Sequence, residues 1–296
     1  MLPHRNITND AAQAGRHFGG RRAASRSRGQ VLGVVLIVLG ALMLAYPLAA
    51  DLLSRMSQTE VVTDYSDSAD KLSKEQLSEA MEAARVYNEN LAGDPVHDPF
   101  VVGSGYALPT NYESMLNLGG DGVMGYLEIP KINVKLPIYH GTSAEVLEHG
   151  VGHIAQTALP IGGKGNRSFL TGHRGLPAAE LFTRLDELKK GDLIYVHVLK
   201  KTLCYKVSGK EVVDPDETEG LVADPDRDMV TLVTCTPYGV NTQRLLVDCD
   251  RTAYVAPDDA GNAATPDWWG LRPILAGLAV GLAALLVLRR VLKRRA

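Results

Sequence analysis

The sequence predicts an all-β domain of barrel or sandwich type, held between two membrane-spanning helices. Three observations carry that expectation. After Gly122, seven short apolar stretches follow one another at 124–129, 134–139, 168–171, 193–198, 203–213, 229–234 and 244–250, with Gly and Pro between them. That spacing favours a barrel or a sandwich. Two long apolar runs, 31–50 and 274–288, lie on either side. Charge follows the same plan. Positions 1–50 carry six Lys/Arg and one acid, and positions 268–296 carry six and none. The middle therefore holds 19 of the 31 basic and 33 of the 34 acidic residues. Basic ends around an acidic middle place both tails on the cytoplasmic side of a membrane and the middle on the other side. A net charge of -3 argues against a nucleic-acid partner, and 45% hydrophobic residues exclude a disordered chain.

Each element can be justified in chain order. Residues 1–30 form a basic tail, with Arg21, Arg22, Arg26 and Arg28 just before the first apolar run. The run 31–50 has no charged residue, and 20 residues suffice to cross a bilayer as a helix. A cleaved signal peptide is the rival reading. The run is long for one, and Leu48 sits where a small residue is wanted before Ala50, so the segment reads as an uncleaved anchor. The stretch 51–122 reads as a polar stalk to about 69, then a helix capped by Ser73 and Gln76, then a long loop from Ala92 to Gly122. The barrel or sandwich occupies 123–255, interrupted by a helix at about 178–188. A linker spans 256–267. A second membrane segment spans 268–292, with Trp268 and Trp269 as an interfacial belt and a basic tail at 293–296.

Several motifs prove uninformative. The glycines at 120, 122 and 125 match a dinucleotide fingerprint, but a loop precedes them and a strand follows, the reverse of what that site needs. Gly163-Lys164-Gly165 lacks the spacing of a phosphate loop. His149 and His153 are four apart, yet Gly150 and Gly152 between them argue against a helix, so they read as loop histidines rather than metal ligands.

The cysteines say more. Cys235 ends a predicted strand, the segment from Thr236 to Gly239 turns the chain, and Arg244 opens the returning strand. The hairpin would face the thiol with a guanidinium, which lowers a thiol pKa and can stabilise an oxyanion. The alternative is a buried core thiol beside a surface Arg. A nucleophilic Cys also needs a His. His173 ends a strand as Cys235 does, but His140 and His153 also flank strands, and spacing alone does not choose.

TLVTC at 231–235, LTGHRG at 170–175 and Arg244 in NTQRLLV resemble the cysteine, histidine and arginine segments of sortases. Asp98-Pro99-Phe100 resembles the lid of the class C, pilus-assembling members, as do EIPKINVKLPIYHG at 128–141 and CTPYGVNTQRLLV at 235–247 across whole strands. The resemblance runs from about 80 to 252 and extends to both membrane segments. It implies an eight-stranded sortase-type β-barrel with an N-terminal helix and a lid loop, and a bacterial membrane enzyme with two passes. It implies that Cys235 cleaves a Leu-Pro-x-Thr-Gly-like sorting signal through a thioester. A pilin Lys amine then resolves the thioester as an isopeptide bond. His173 would act as acid and base, Arg244 would hold the carbonyl oxygen or signal backbone, and Thr234 would help bind substrate. No metal or organic cofactor is required for this chemistry. The implied partners are sorting signals of pilins or other surface proteins, the acceptor Lys and the lipid bilayer. Wall attachment of surface proteins and a non-enzymatic assembly scaffold are the alternatives. The lid is expected to pair Asp98 with Arg244 and lay Phe100 over Cys235, stiffened by Pro99. Cys204 and Cys249 depart from the family pattern. Both fall on predicted strands in an oxidising compartment, so a disulfide between them is expected, with two independent core thiols as the alternative.

Overall fold

The computed structural model describes residues 22–91, 110–215 and 222–257, with a few positions between 277 and 283. Two compact units emerge, one comprising 1–45 with 274–296 and the other comprising 46–273.

Helix α1 runs from Arg22 to Lys71. Its apolar part is long and apolar enough to cross a membrane, and it is the one such helix among the described residues. Leu32, Leu36, Leu39, Leu42 and Met43 on it are exposed, as lipid-facing side chains would be. The second expected span, 268–292, lies almost wholly outside the described residues. The expected stalk is not irregular. Residues 51–71 contain neither Gly nor Pro, and α1 simply continues through them. Val62, Tyr65 and Ala69, three and four apart, bury one face of this last stretch. The Tyr65 hydroxyl donates to the Met124 carbonyl at 2.9 Å and accepts from the Leu199 amide at 2.8 Å. Burial pushes its pKa up to about 12.

Helix α2, Lys74–Asn90, starts as expected. The Ser73 hydroxyl accepts from the Gln76 amide and the Gln76 side chain accepts from the Ser73 amide. Its buried face carries Ala84, Tyr87 and Asn88. Asn88 grips both backbone groups of Leu159, accepting at 2.7 Å and donating at 3.2 Å.

Eight strands close into a barrel: β1 (Val123–Ile129), β2 (Val134–His140), β3 (Val151–His153), β4 (Arg167–Thr171), β5 (Leu193–Val198), β6 (Lys201–Val213), β7 (Met229–Thr236) and β8 (Gln243–Arg251). Their order around the wall is β1-β2-β3-β4-β7-β8-β6-β5, with β2/β3 and β4/β7 parallel and the other pairs antiparallel. Alternate residues fill the interior: Leu127 and Ile129, Leu136 and Ile138, Ile194 and Val196, Leu203, Tyr205 and Val207, Val230 and Leu232, Leu245 and Val247. Each large aliphatic side chain so buried contributes about 1.5–3 kcal/mol.

Four expectations need correction. First, β3 is a strand where loop histidines were expected, and His149 ends a short helix α3, Ala144–His149. Gly152 belongs there because a Cβ would sit 2.4 Å from the Gly141 carbonyl oxygen. Second, His153 is fully buried in that strand. Its Nε2 donates to the Ala158 carbonyl at 2.9 Å, which leaves Nδ1 to accept from the Tyr112 hydroxyl at 2.9 Å. Burial pulls its pKa down to about 4. Third, 178–188 forms turns and a single 3-10 turn, Leu185–Glu187. The amide of Phe182 donates to the His173 carbonyl and that of Glu180 to the Asp51 carboxylate, so the helical ladder loses two donors, and Leu181 takes a positive φ. Fourth, Cys204 and Cys249 are free thiols. Cys249 pairs across from Val207 and points inward, whereas Cys204, three residues along β6, packs with Leu193 and Tyr195 on the other face. An odd offset puts the two sulfurs on opposite sides of the wall.

Candidate active site

Strands β4, β7 and β8 lie side by side in the barrel wall. The antiparallel hairpin of β7 and β8 pairs Cys235 with Arg244, as the sequence predicts. On the other flank β4 and β7 run parallel with a constant offset, from Arg167 opposite Met229 to Thr171 opposite Val233. The offset outlasts the strand. The Gly172 amide donates to the Val233 carbonyl at 3.1 Å, and the Arg174 guanidinium donates to the Thr236 hydroxyl at 3.2 Å. Carried through the position between them, it sets His173 opposite Cys235. Extended in this way, the register would put the three residues at one level, at the strand ends where the chain leaves the wall.

Alternation decides which way Cys235 points. Val230 and Leu232 face inward, so Thr231, Val233 and Cys235 face outward. Beside Cys235 on this outer face a second apolar cluster collects Ile154, Phe169, Val213, Val233 and Leu246. At its far end Arg167 pairs with Asp248 at 2.8 Å, donates to the Thr231 hydroxyl at 2.9 Å and to the Val222 carbonyl at 3.2 Å, and lies 4.6 Å from the Phe169 ring. Arg167 thereby holds Val222, in the β6–β7 connection, to the outer face of the wall.

Cys235 and Arg244 are 9% and 8% exposed, buried enough for strong electrostatics. Arg244 donates to the carbonyls of Asn241 and Gln243, at 3.3 and 3.2 Å, which steadies the guanidinium against its own turn. His173 is partly buried. Burial holds its pKa below the usual histidine value, and the negative charge of Glu148, on α3, opposes that. The two rival histidines are committed elsewhere. His153 is in the core, and both ring nitrogens of His140 lie 2.8 Å from backbone carbonyls, those of Gly122 and Met115.

Thr234 is where the geometry departs from expectation. It faces the opposite way from Cys235 and is fully buried, and its hydroxyl donates to the Gly172 carbonyl at 2.7 Å. That bond ties the backbone just before His173 to the strand that carries the thiol. The lid residues Asp98, Pro99 and Phe100 lie outside the described residues. Sequence reasoning misses Arg174 as a site residue, although it shares a motif with His173, and misses its partner Asp186, for which the sequence holds no signal.

Comparison with known proteins agrees with this architecture. A sortase domain model matches residues 127–252, from within β1 to just past β8. The sortase C-1 structure of Actinomyces oris is 45% identical, with a TM-score of 0.56, and covers 60% of this chain and 99% of its own. The chain belongs to the sortase family. The structure described as the pilus-related sortase C of Group B Streptococcus is 40% identical, with a TM-score of 0.60, covering 65% of this sortase and 97% of that chain. Sortase D of Bacillus subtilis is 36% identical over 114 residues, which are 38% of this sortase and 54% of the relative. This sortase thus spans about half the length of the curated relative it matches.

Proposed function

We propose that this sortase is a membrane-anchored cysteine transpeptidase of class C that joins pilin subunits. The observation that carries the reading is the pairing of Cys235 with Arg244 across the hairpin, with the β4/β7 offset leading the chain to His173 at the same level. A thiolate, a proton-transfer group and an oxyanion donor at one level are what acyl transfer to sulfur needs.

The steps follow from that arrangement. Cys235 Sγ attacks the Thr carbonyl of a Leu-Pro-x-Thr-Gly-like signal, and Arg244 stabilises the negative oxygen of the tetrahedral intermediate. The Thr–Gly bond breaks as His173 gives a proton to the leaving amine, and a thioester remains on Cys235. A Lys amine of a second pilin then attacks the thioester. His173 takes its proton, the C–S bond breaks and an isopeptide bond forms. Burial favours the neutral imidazole, which is the form that accepts the proton, and makes the imidazolium the stronger acid in the first step. Pilin as the substrate is supported by the pilus-related sortase C among the matching structures.

Anchoring places the site where its substrates are held. In this reading α1 is an uncleaved anchor, 268–292 is a second span, and both termini are cytoplasmic. The test is to incubate the full chain in detergent with a purified pilin and resolve the products on a denaturing gel. A ladder of covalent multimers is expected. Pilin that stays monomeric, or that is only cleaved with no ladder, would rule out pilin polymerisation.

A further inference from the structure

We propose that Arg174 is a positioning residue that keeps His173 level with Cys235. The inference rests on reading those two as the reacting pair. β4 ends as a strand at Thr171, and the Gly172 amide still donates to the Val233 carbonyl of β7. Beyond the strand's end two side-chain bonds span the same segments. Thr234 makes one before His173, through the Gly172 carbonyl, and Arg174 makes the other after it.

The Arg174 side chain is only 8% exposed and bonds in two directions. One terminal nitrogen reaches the hydroxyl of Thr236, the residue that follows Cys235, at 3.2 Å. The other pairs with Asp186, in the 3-10 turn, at 2.6 Å. Nε is buried and makes no hydrogen bond among the described residues, so the hold lies in the two terminal groups. The ring of Tyr238, in the β7–β8 turn, lies 5.9 Å from the guanidinium carbon and covers it. Gly175 allows that approach: it has φ +82°, and a Cβ there would stand 3.2 Å from the tyrosine ring. Arg174 therefore couples three pieces of chain, namely the His173 segment, the end of β7 and the turn at Asp186. A planar fork can serve two partners at once, whereas an ammonium on a single stem cannot reproduce that geometry.

The test uses the full chain in detergent with Arg174→Ala, Arg174→Lys and Asp186→Asn. Three quantities are read: turnover of a Leu-Pro-x-Thr-Gly peptide, the pH profile of Cys235 alkylation by iodoacetamide, and the thermal midpoint. Cys235→Ala supplies the alkylation blank, because Cys204 and Cys249 are buried. Misalignment of a reacting pair is costly, so Arg174→Ala should lower kcat by roughly 10- to 100-fold with little change in KM. The pH profile of its alkylation should depart from that of the wild-type chain. Arg174→Lys should keep the ion pair with Asp186 and recover the thermal midpoint, yet remain impaired in kcat. Asp186→Asn should show a smaller kcat loss in the same direction. Wild-type kcat and alkylation profile in Arg174→Ala would overturn the proposal, as would full recovery of kcat in Arg174→Lys together with its stability. Alkylation needs no sorting signal. A wild-type chain that is alkylated but leaves the peptide intact counts against the substrate assignment, and the Arg174→Ala profile then decides the positioning role.

Discussion

Thr234→Val separates two roles for the residue before the nucleophile. The resemblance assigns it to substrate binding, but in the fold its hydroxyl is fully buried and donates to the Gly172 carbonyl at 2.7 Å. Valine keeps the shape and removes the donor. The carbonyl is left without that hydrogen, a loss of about 1–3 kcal/mol for a buried polar group. In a domain of this size each kcal/mol lowers the thermal midpoint by about 2–4 °C, so a fall of roughly 2–12 °C is expected. Because Gly172 precedes His173, the activity loss should appear in kcat, not KM. Thermal melts of the full chain in detergent, together with peptide cleavage across a range of substrate concentrations, read both quantities. An unchanged midpoint with a raised KM would refute the scaffolding role and return Thr234 to the substrate.

The remaining predictions concern the site, the core and the membrane. Cys235→Ala and His173→Ala should abolish peptide cleavage with the fold retained by circular dichroism, and Arg244→Lys should be severely impaired, since an ammonium cannot make the forked contacts of a guanidinium. Wild-type cleavage by any of the three would remove that residue from the mechanism. His153 titrates at about 4 in the fold against 6.5 in an unfolded chain. Its effect on stability is nil above pH 6.5, and stability is lost as pH falls toward 4 because the unfolded chain takes up the proton first. The full loss is about 3 kcal/mol. His153→Gln should flatten that part of a denaturant-midpoint-versus-pH curve, and an unchanged slope would contradict the assignment. Protease added to intact protoplasts should digest 51–267 and spare both tails, and a cleaved tail would disprove the two-pass topology.

What the sequence reveals of this fold depends on how much of each signal is local. The hairpin that faces Cys235 with Arg244 is legible because strand, turn and strand are contiguous. The capping box of α2 is legible because its two bonds span three residues. The place of His173 is not local: it follows from the β4/β7 offset, which joins segments more than 60 residues apart. β3 escapes detection because three residues that follow one glycine and contain another carry no alternation, and the reason for Gly152 is a carbonyl across the sheet. The apolar spacing of 178–188 is real, since Leu181, Phe182, Leu185 and Leu188 are all buried. Bonds from its amides to Asp51 and His173 override the helix. The Cys204–Cys249 expectation fails on strand parity, which requires the register.

The central claim is that Cys235, supported by His173 and Arg244, carries an acyl group from a sorting signal. Intact-mass spectrometry of the full chain mixed with a Leu-Pro-x-Thr-Gly peptide tests it most directly. The expected mass gain equals the peptide lacking its Gly and everything after it, less one water. The adduct should map to Cys235, be released by hydroxylamine and be absent from Cys235→Ala. An unmodified chain beside intact peptide, or the same adduct on Cys235→Ala, would contradict it.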